Sequence, residues 1–203
     1  MKIFCVGRNY TEHAKELGNE VSDEPIIFLK PKSALLQSHT PFYYPEFTNE
    51  LDYECELVLR ISKNGKYIQE KHAANYYNAI SVGIDFTARD IQNQLKEKGL
   101  PWEKAKSFDN SAAVGTFVDI TPAITKNNIN FSFAKNNEIV QKGNSGDMIF
   151  SIDAIISNIS NYFSLNIGDL IFTGTPAGVG ECMVGDSLQA YFEKDCLLTL
   201  EIK

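Results

Sequence analysis

Histidine and cysteine are both scarce in this chain: His13, His39 and His72 are the only histidines, and Cys5, Cys55, Cys182 and Cys196 the only cysteines, in 203 residues. The cysteines form no C-x-x-C pair and no H-E-x-x-H motif is present, which argues against a structural zinc site and a zinc-protease centre. Without an export signal, the four cysteines read as reduced, mostly buried thiols. Positive charge is also short, with 19 Lys and Arg against 26 Asp and Glu and a net charge of −7. Nucleic acid and anionic membrane surfaces both need clustered basic residues, so neither is expected as a partner. A small anionic substrate stays open, because it responds to the local field of a pocket. No apolar run reaches the roughly 20 residues of a membrane-spanning helix. The opening run MKIFCVGRNY breaks at Gly7 and Arg8, too early for a signal-peptide core, and the expected compartment is the cytoplasm. There is no G-x-S-x-G, which removes the serine-hydrolase reading. The stretch TGTPAGVG (173–180) is rich in glycine but has neither the Lys-Ser/Thr of a phosphate loop nor the G-x-G-x-x-G spacing, so nucleotide binding is rejected.

The length suits one domain, residues 1–203, able to bury a core without disulfides. Strand patterns occur at 3–7, 26–30 (IIFLK, stopped by Pro31), 53–61 (YECELVLRI), 79–84, 129–134, 138–142, 170–173 and 188–202. Asn64-Gly65 predicts a hairpin turn into KYIQE, and Asn136-Asn137 predicts a second. Asn9 with Glu12 has the spacing of a capping box, predicting a helix over about 10–17 that Gly18 ends. A helix is expected over about 86–97. Another begins after Ser151, where Ile152, Ile155, Ile156, Ile159 and Phe163 repeat at helical spacing. The whole reads as a strand-rich α+β domain with a few short helices.

Four groups of residues could carry chemistry. In a strand, Glu54 and Glu56 share one face with Val58, while Tyr53, Cys55, Leu57, Leu59 and Ile61 make the core face. Two adjacent carboxylates suit a hard divalent cation, although a solvated strand face fits the same pattern. Asp85, Arg89 and Gln92 fall on one face if a helix starts near Asp85. An N-cap Asp with an i,i+4 ion pair fits equally. His13 and Glu16, three apart on the first helix, fit a carboxylate-oriented general base or a surface pair. Lys106, after the turn Leu100-Pro101-Trp102, could stabilise an oxyanion or simply be exposed. His39 and His72 have no such companions and read as structural or exposed.

The order of these pieces is more specific than any one of them. GRNYTEH, FLKP, YECELVL, GIDFTARDIQ, GLPWEKAKSFD, MIFSIDAIIS and GDLIFTGTPAGVG together resemble the fumarylacetoacetate hydrolase family over nearly the whole chain, and in particular its small single-domain branch. The resemblance implies a mixed β-sandwich roll, a homodimer, and Mg2+ or Mn2+ held by Glu54, Glu56 and Asp85. It also implies a water-activating pair of His13 and Glu16 on a segment that closes over the site, with Lys106, Arg89, Gln92, Thr175 and Lys30 at substrate-contacting positions. The implied activity is hydrolysis of a carbon–carbon bond in acylpyruvates such as fumarylpyruvate or acetylpyruvate. Oxaloacetate decarboxylation or tautomerisation, isomerisation of a 2-hydroxyhepta-2,4-diene-1,7-dioate, and silent binding of metal and keto acid are the alternatives.

Overall fold

The structure is a computed structural model that describes residues 1–16, 18, 22–37, 40–121, 124 and 126–203. The chain opens with β1 (Ile3–Gly7), α1 (Thr11–Glu16) and β2 (Ile26–Lys30), followed by β3 (Leu51–Tyr53), β4 (Cys55–Ile61), β5 (Tyr77–Asp85) and β6 (Thr87–Ala88). Then come α2 (Arg89–Glu97), α3 (Glu103–Lys106), β7 (Ala112–Val114), β8 (Val118–Asp119), β9 (Asn130–Lys135), β10 (Glu138–Asn144) and α4 (Ile152–Tyr162). The chain closes through β11 (Leu170–Phe172), β12 (Gly180–Glu181), β13 (Ser187–Phe192) and β14 (Asp195–Glu201). This is the strand-rich α+β architecture that the patterning predicts.

The strands form three sheets. The largest runs β2-β1-β11-β4-β5-β7, with β8 also paired to β5. A second runs β10-β9-β13-β14 and a third β12-β3-β6. Only the β1–β11 pairing of the large sheet is parallel, which makes that sheet mixed. One extensive core cluster lies between the large sheet, the β9–β13 sheet and α4, and includes Leu57, Leu59, Phe131, Phe133, Ile155 and Ile159. A smaller cluster on the other face of the large sheet holds Ile3, Cys5, Val58 and Phe172. Burying each large apolar side chain contributes roughly 1.5–3 kcal/mol, and burial on both faces explains the near-continuous apolar runs of β4 and β5. Cys5, Cys55 and Cys182 are buried free thiols, and Cys196 is exposed.

Several local readings hold. Asn136 and Asn137 both take positive φ, 54° and 68°, in the β9–β10 hairpin. Ser151 caps α4 by accepting from the Ala154 amide at 3.2 Å. Gly18 has φ +64° just beyond α1. Others are corrected by tertiary contacts. The stretch 53–61 is not one strand: β3 pairs in the small sheet and β4 in the large one, with Glu54 at the transfer point. Asn64-Gly65 turns no hairpin. Gly65 bridges to Leu165, the Asn64 side chain accepts from the Ile167 amide, and KYIQE (66–70) forms no strand, its last residue opening the 3-10 helix Glu70–Asn75. Asn9 does not cap α1. Its amide group donates to the Thr173 and Phe150 carbonyls at 2.8 and 3.1 Å and accepts from the Phe150 amide at 2.7 Å. Glu12 is held by Lys15 instead. His72 is exposed, and His39 lies outside the described residues. No described helix is long and apolar enough to cross a membrane.

Candidate active site

The site forms where β4 and β5 meet the TGTPAGVG loop. Glu56 sits on β4 opposite Gly83, and the backbone carbonyl of Glu54 accepts from the Asp85 amide at 2.8 Å. These pairings place Glu54, Glu56 and Asp85 with one carboxylate oxygen each inside a mutual separation of 4.8 Å. All three are buried, Glu56 and Asp85 to 1 % exposure. The solvated strand face is therefore excluded. Asp85 is also not a helix cap: it ends β5, and α2 starts four residues later with Ala88 at its N-cap. Arg89 and Gln92, both on α2, meet through a 2.6 Å hydrogen bond from the guanidinium.

Buried carboxylates need compensating charge. The Lys106 ammonium reaches Glu54 at 2.8 Å, Asp85 at 2.9 Å and the Thr87 hydroxyl at 2.6 Å. Arg89 spans Asp52 at 2.7 Å and the second Glu54 oxygen at 2.6 Å. Lys30 lies 2.7 Å from Asp85 Oδ1 and donates to Ser111 and the Lys106 carbonyl. Thus Lys106 is neither isolated nor exposed, and Lys30 is as deeply placed as the carboxylates.

The compensation is uneven. Burial works against the Glu54 carboxylate, but Lys106 and Arg89 outweigh it and hold its pKa well below the usual carboxylate range. Among the described residues, no ammonium or guanidinium is in contact with Glu56. Burial pushes its carboxyl well above the usual range, Asp85 and Glu54 push it further, and only the Gly174 amide, 2.6 Å away, and distant Lys106 oppose them. Both Asp85 oxygens are ion-paired, Oδ1 with Lys30 at 2.7 Å and Oδ2 with Lys106 at 2.9 Å. Three buried carboxylates within 4.8 Å of one another, one of them paired only with a backbone amide, make a centre short of positive charge. Its donors are all hard oxygens, which fits a divalent cation such as magnesium or manganese.

His13 faces the same cleft, and its Nδ1 is 3.3 Å from Glu16 Oε2. Burial lowers the imidazole pKa from 6.5, against the opposing pull of Glu54 and Glu16. Glu16 is positioned in turn by the Gly178 amide at 3.1 Å. Thr175 lines the cleft and donates to the Cys55 carbonyl at 2.8 Å. The structure thus gathers all ten sequence-derived site residues around one centre.

Sequence reasoning missed four supporting residues. Asp52 anchors Arg89, Thr87 and Ser111 hold Lys106 and Lys30, and Gln141 ties the loop to β4. The Gln141 side chain accepts from the Cys55 amide and donates to Thr175 Oγ1 and the Pro176 carbonyl, each at 2.9 Å. A glutamine inside a hairpin strand carries no local signal of this role, because its partners lie 34 to 86 residues away. Asp52 had a faint one, as a further acid two residues before Glu54.

A sequence profile described as "Fumarylacetoacetate (FAA) hydrolase C-terminal" matches residues 2–202. The mouse mitochondrial protein named oxaloacetate tautomerase FAHD1 is 39 % identical over 201 residues, covering 99 % of this chain and 91 % of its own. Oxaloacetate tautomerase YcgM of Escherichia coli K12 is 37 % identical over 199 residues, covering 98 % and 91 %. Among solved structures, a Pseudomonas aeruginosa fumarylpyruvate hydrolase in complex with Mn2+ and pyruvate superposes with a TM-score of 0.93 at 34 % identity. It covers all of this chain and 89 % of that one.

Proposed function

The chain belongs to the fumarylacetoacetate hydrolase family, and we propose that it is a divalent-metal-dependent enzyme that interconverts the keto and enol forms of oxaloacetate. The observation that carries this reading is the buried triad of Glu54, Glu56 and Asp85, with oxygens within 4.8 Å of one another, beside a half-neutralised cluster of cations. These three residues would hold Mg2+ or Mn2+. The bound ion supplies Lewis-acid stabilisation of the negative charge that develops on a keto oxygen. Tautomerisation moves one proton from C3 to the C2 oxygen and breaks no carbon–carbon bond. His13, kept neutral by burial, takes the C3 proton. The Lys106 ammonium hydrogen-bonds the C2 oxygen as its charge builds, and His13 returns the proton to that oxygen. Arg89, Gln92 and Thr175 orient the substrate, and Lys30 holds Asp85 in place. Of the segment 13–24 expected to close over the cleft, residues 17 and 19–21 lie outside the described residues; we propose that closure, and a cytoplasmic homodimer, as part of this reading.

Acylpyruvate hydrolysis is the second reading, favoured by the 3.3 Å contact of His13 with Glu16. In it His13 takes a proton from water, whose oxygen attacks the distal carbonyl carbon. The bond to C3 then breaks, its electron pair leaves with the pyruvate fragment as an enolate, and the proton is returned to C3. Sequence motifs put this reaction first; the two relatives named for oxaloacetate move tautomerisation ahead of it. The test is a panel of enol-oxaloacetate, acetylpyruvate and fumarylpyruvate, each with Mg2+ or Mn2+ and with a chelator. Chelator-sensitive tautomerisation above the spontaneous rate is expected. Acylpyruvate cleavage without tautomerisation would transfer the assignment to hydrolysis, and no metal-dependent turnover on any of them would overturn both readings.

A further inference from the structure

The cleft has a second cationic end that the chemistry above does not use. At the inner end Lys30, Lys106 and Arg89 each touch a carboxylate. Arg8 and Lys96 line the same cleft further out, and neither makes a salt bridge among the described residues. Between the two ends stands an aromatic wall. The Lys106 Nζ is 5.5 Å from the Phe28 ring centroid, Phe28 meets Trp102 edge-on at 6.0 Å, and the Lys96 Nζ is 5.7 Å from the Trp102 ring. Lys106 and Lys96 thus stand at the two rings of an angled aromatic wall.

Holding Arg8 there works against local backbone preference. Its φ is +59°, a left-handed conformation that costs a non-glycine residue about 1–2 kcal/mol. The turn is kept by the neighbouring Asn9 clamp onto Phe150 and Thr173. Burial, with Arg89 and Arg8 next, also brings the Lys96 ammonium down to about 8. Mutually repelling cations beside a maintained unfavourable backbone are the mark of a site built for an anion.

We infer that Arg8 and Lys96 form a second anion subsite that receives the far carboxylate of an α-keto dicarboxylate whose carbon chain lies along Phe28 and Trp102. The inference rests on the keto-acid reading above and narrows its substrate class to acids charged at both ends.

The test is calorimetric binding to Mg2+-loaded protein, which needs no turnover. The probes are 2-oxoglutarate and 2-oxoadipate, each paired with its neutral-ended counterpart, 2-oxopentanoate and 2-oxohexanoate. In the wild type the diacid should bind about ten- to a hundredfold tighter at one or both lengths, the range of a charge-assisted contact. Lys96→Gln should collapse that ratio toward one, and Lys96→Glu should invert it. Lys96 is only partly buried at the end of α2, so both variants retain the fold. A Lys96→Gln protein that keeps the wild-type ratio, or weakens acid and neutral probes equally, would overturn the subsite while leaving the keto-acid reading intact. A wild type that binds none of the four probes would overturn the subsite, while the keto-acid reading is decided separately by the oxaloacetate and acylpyruvate panel above.

Discussion

Glu56 and Gln141 show how single side chains set up this centre. Glu56 is buried against Asp85 and Glu54 with a backbone amide as its direct partner, so burial and its neighbours raise its pKa and a cation placed there would relieve the repulsion. Gln141 satisfies the Cys55 amide between the two glutamates and fastens the loop through Thr175 and Pro176. Gln141→Leu strands these buried groups and should cost about 2–4 kcal/mol by chemical denaturation, with weaker metal binding by titration. A variant as stable as the wild type would show that the tie is dispensable. His13→Ala should remove metal-dependent proton transfer or hydrolysis while metal affinity, measured separately, survives; unchanged turnover would remove His13 from the chemistry. Because the folded-state pKa of His13 is lowered, the imidazole stays neutral as pH falls to 6.5, and the acid limb of the rate profile should lie below that value. The same sign applies to stability. Between the folded pKa and 6.5 the unfolded chain binds more protons, so this residue makes the fold less stable as pH falls through that window.

At the scale of elements, the division of 51–61 into β3 and β4 puts Glu54 at the junction of two sheets, where it can reach both Arg89 on α2 and Lys106 on α3. The TGTPAGVG loop contributes backbone rather than side-chain charge. Gly174 takes φ +99° with its amide on Glu56, and a Cβ there would meet the Asn9 Cβ at 2.6 Å. Gly174→Ala should therefore lose about 2–3 kcal/mol or more and disturb the metal centre, a pairing read by denaturation and metal titration on the same protein. Retained affinity with lost stability would mean that the loop shapes the fold and not the site. The segment 13–24 begins in the six-residue α1, joined to the loop through Glu16 and Gly178. Adding Mg2+ and oxalate should slow amide exchange across this segment. Equal protection with and without them would rule out closure.

For the whole molecule, an acidic chain of net charge −7 has gathered several carboxylates into one interior centre that its own cations only partly neutralise. Binding a cation to the folded state alone stabilises it by about 2.7 kcal/mol at a hundredfold excess over Kd. At roughly 2–4 °C per kcal/mol for a domain of this size, Mg2+ or Mn2+ should raise Tm by about 5–10 °C. A chelator should reverse the shift. No shift with either ion would show that the carboxylates serve the fold alone.

What could be read without coordinates was whatever depends on near neighbours or on motif order. Strand alternation, the Asn136-Asn137 turn, the Ser151 cap and the isoleucine face of α4 are local properties, and the order of the motifs named the family and ten candidate site residues. What failed was equally local in form: Asn9 had the spacing of a cap and Asn64-Gly65 that of a hairpin, but partners more than a hundred residues away outbid both. Sequence left Glu54, Glu56 and Asp85 divided between solvent-facing acids and a metal site. Tertiary structure removed the solvent, supplied too few cations and brought His13, Lys106 and Arg89 to the same cleft. Burial and compensating charge decide the character of a carboxylate, and both depend on long-range packing that no stretch of sequence contains.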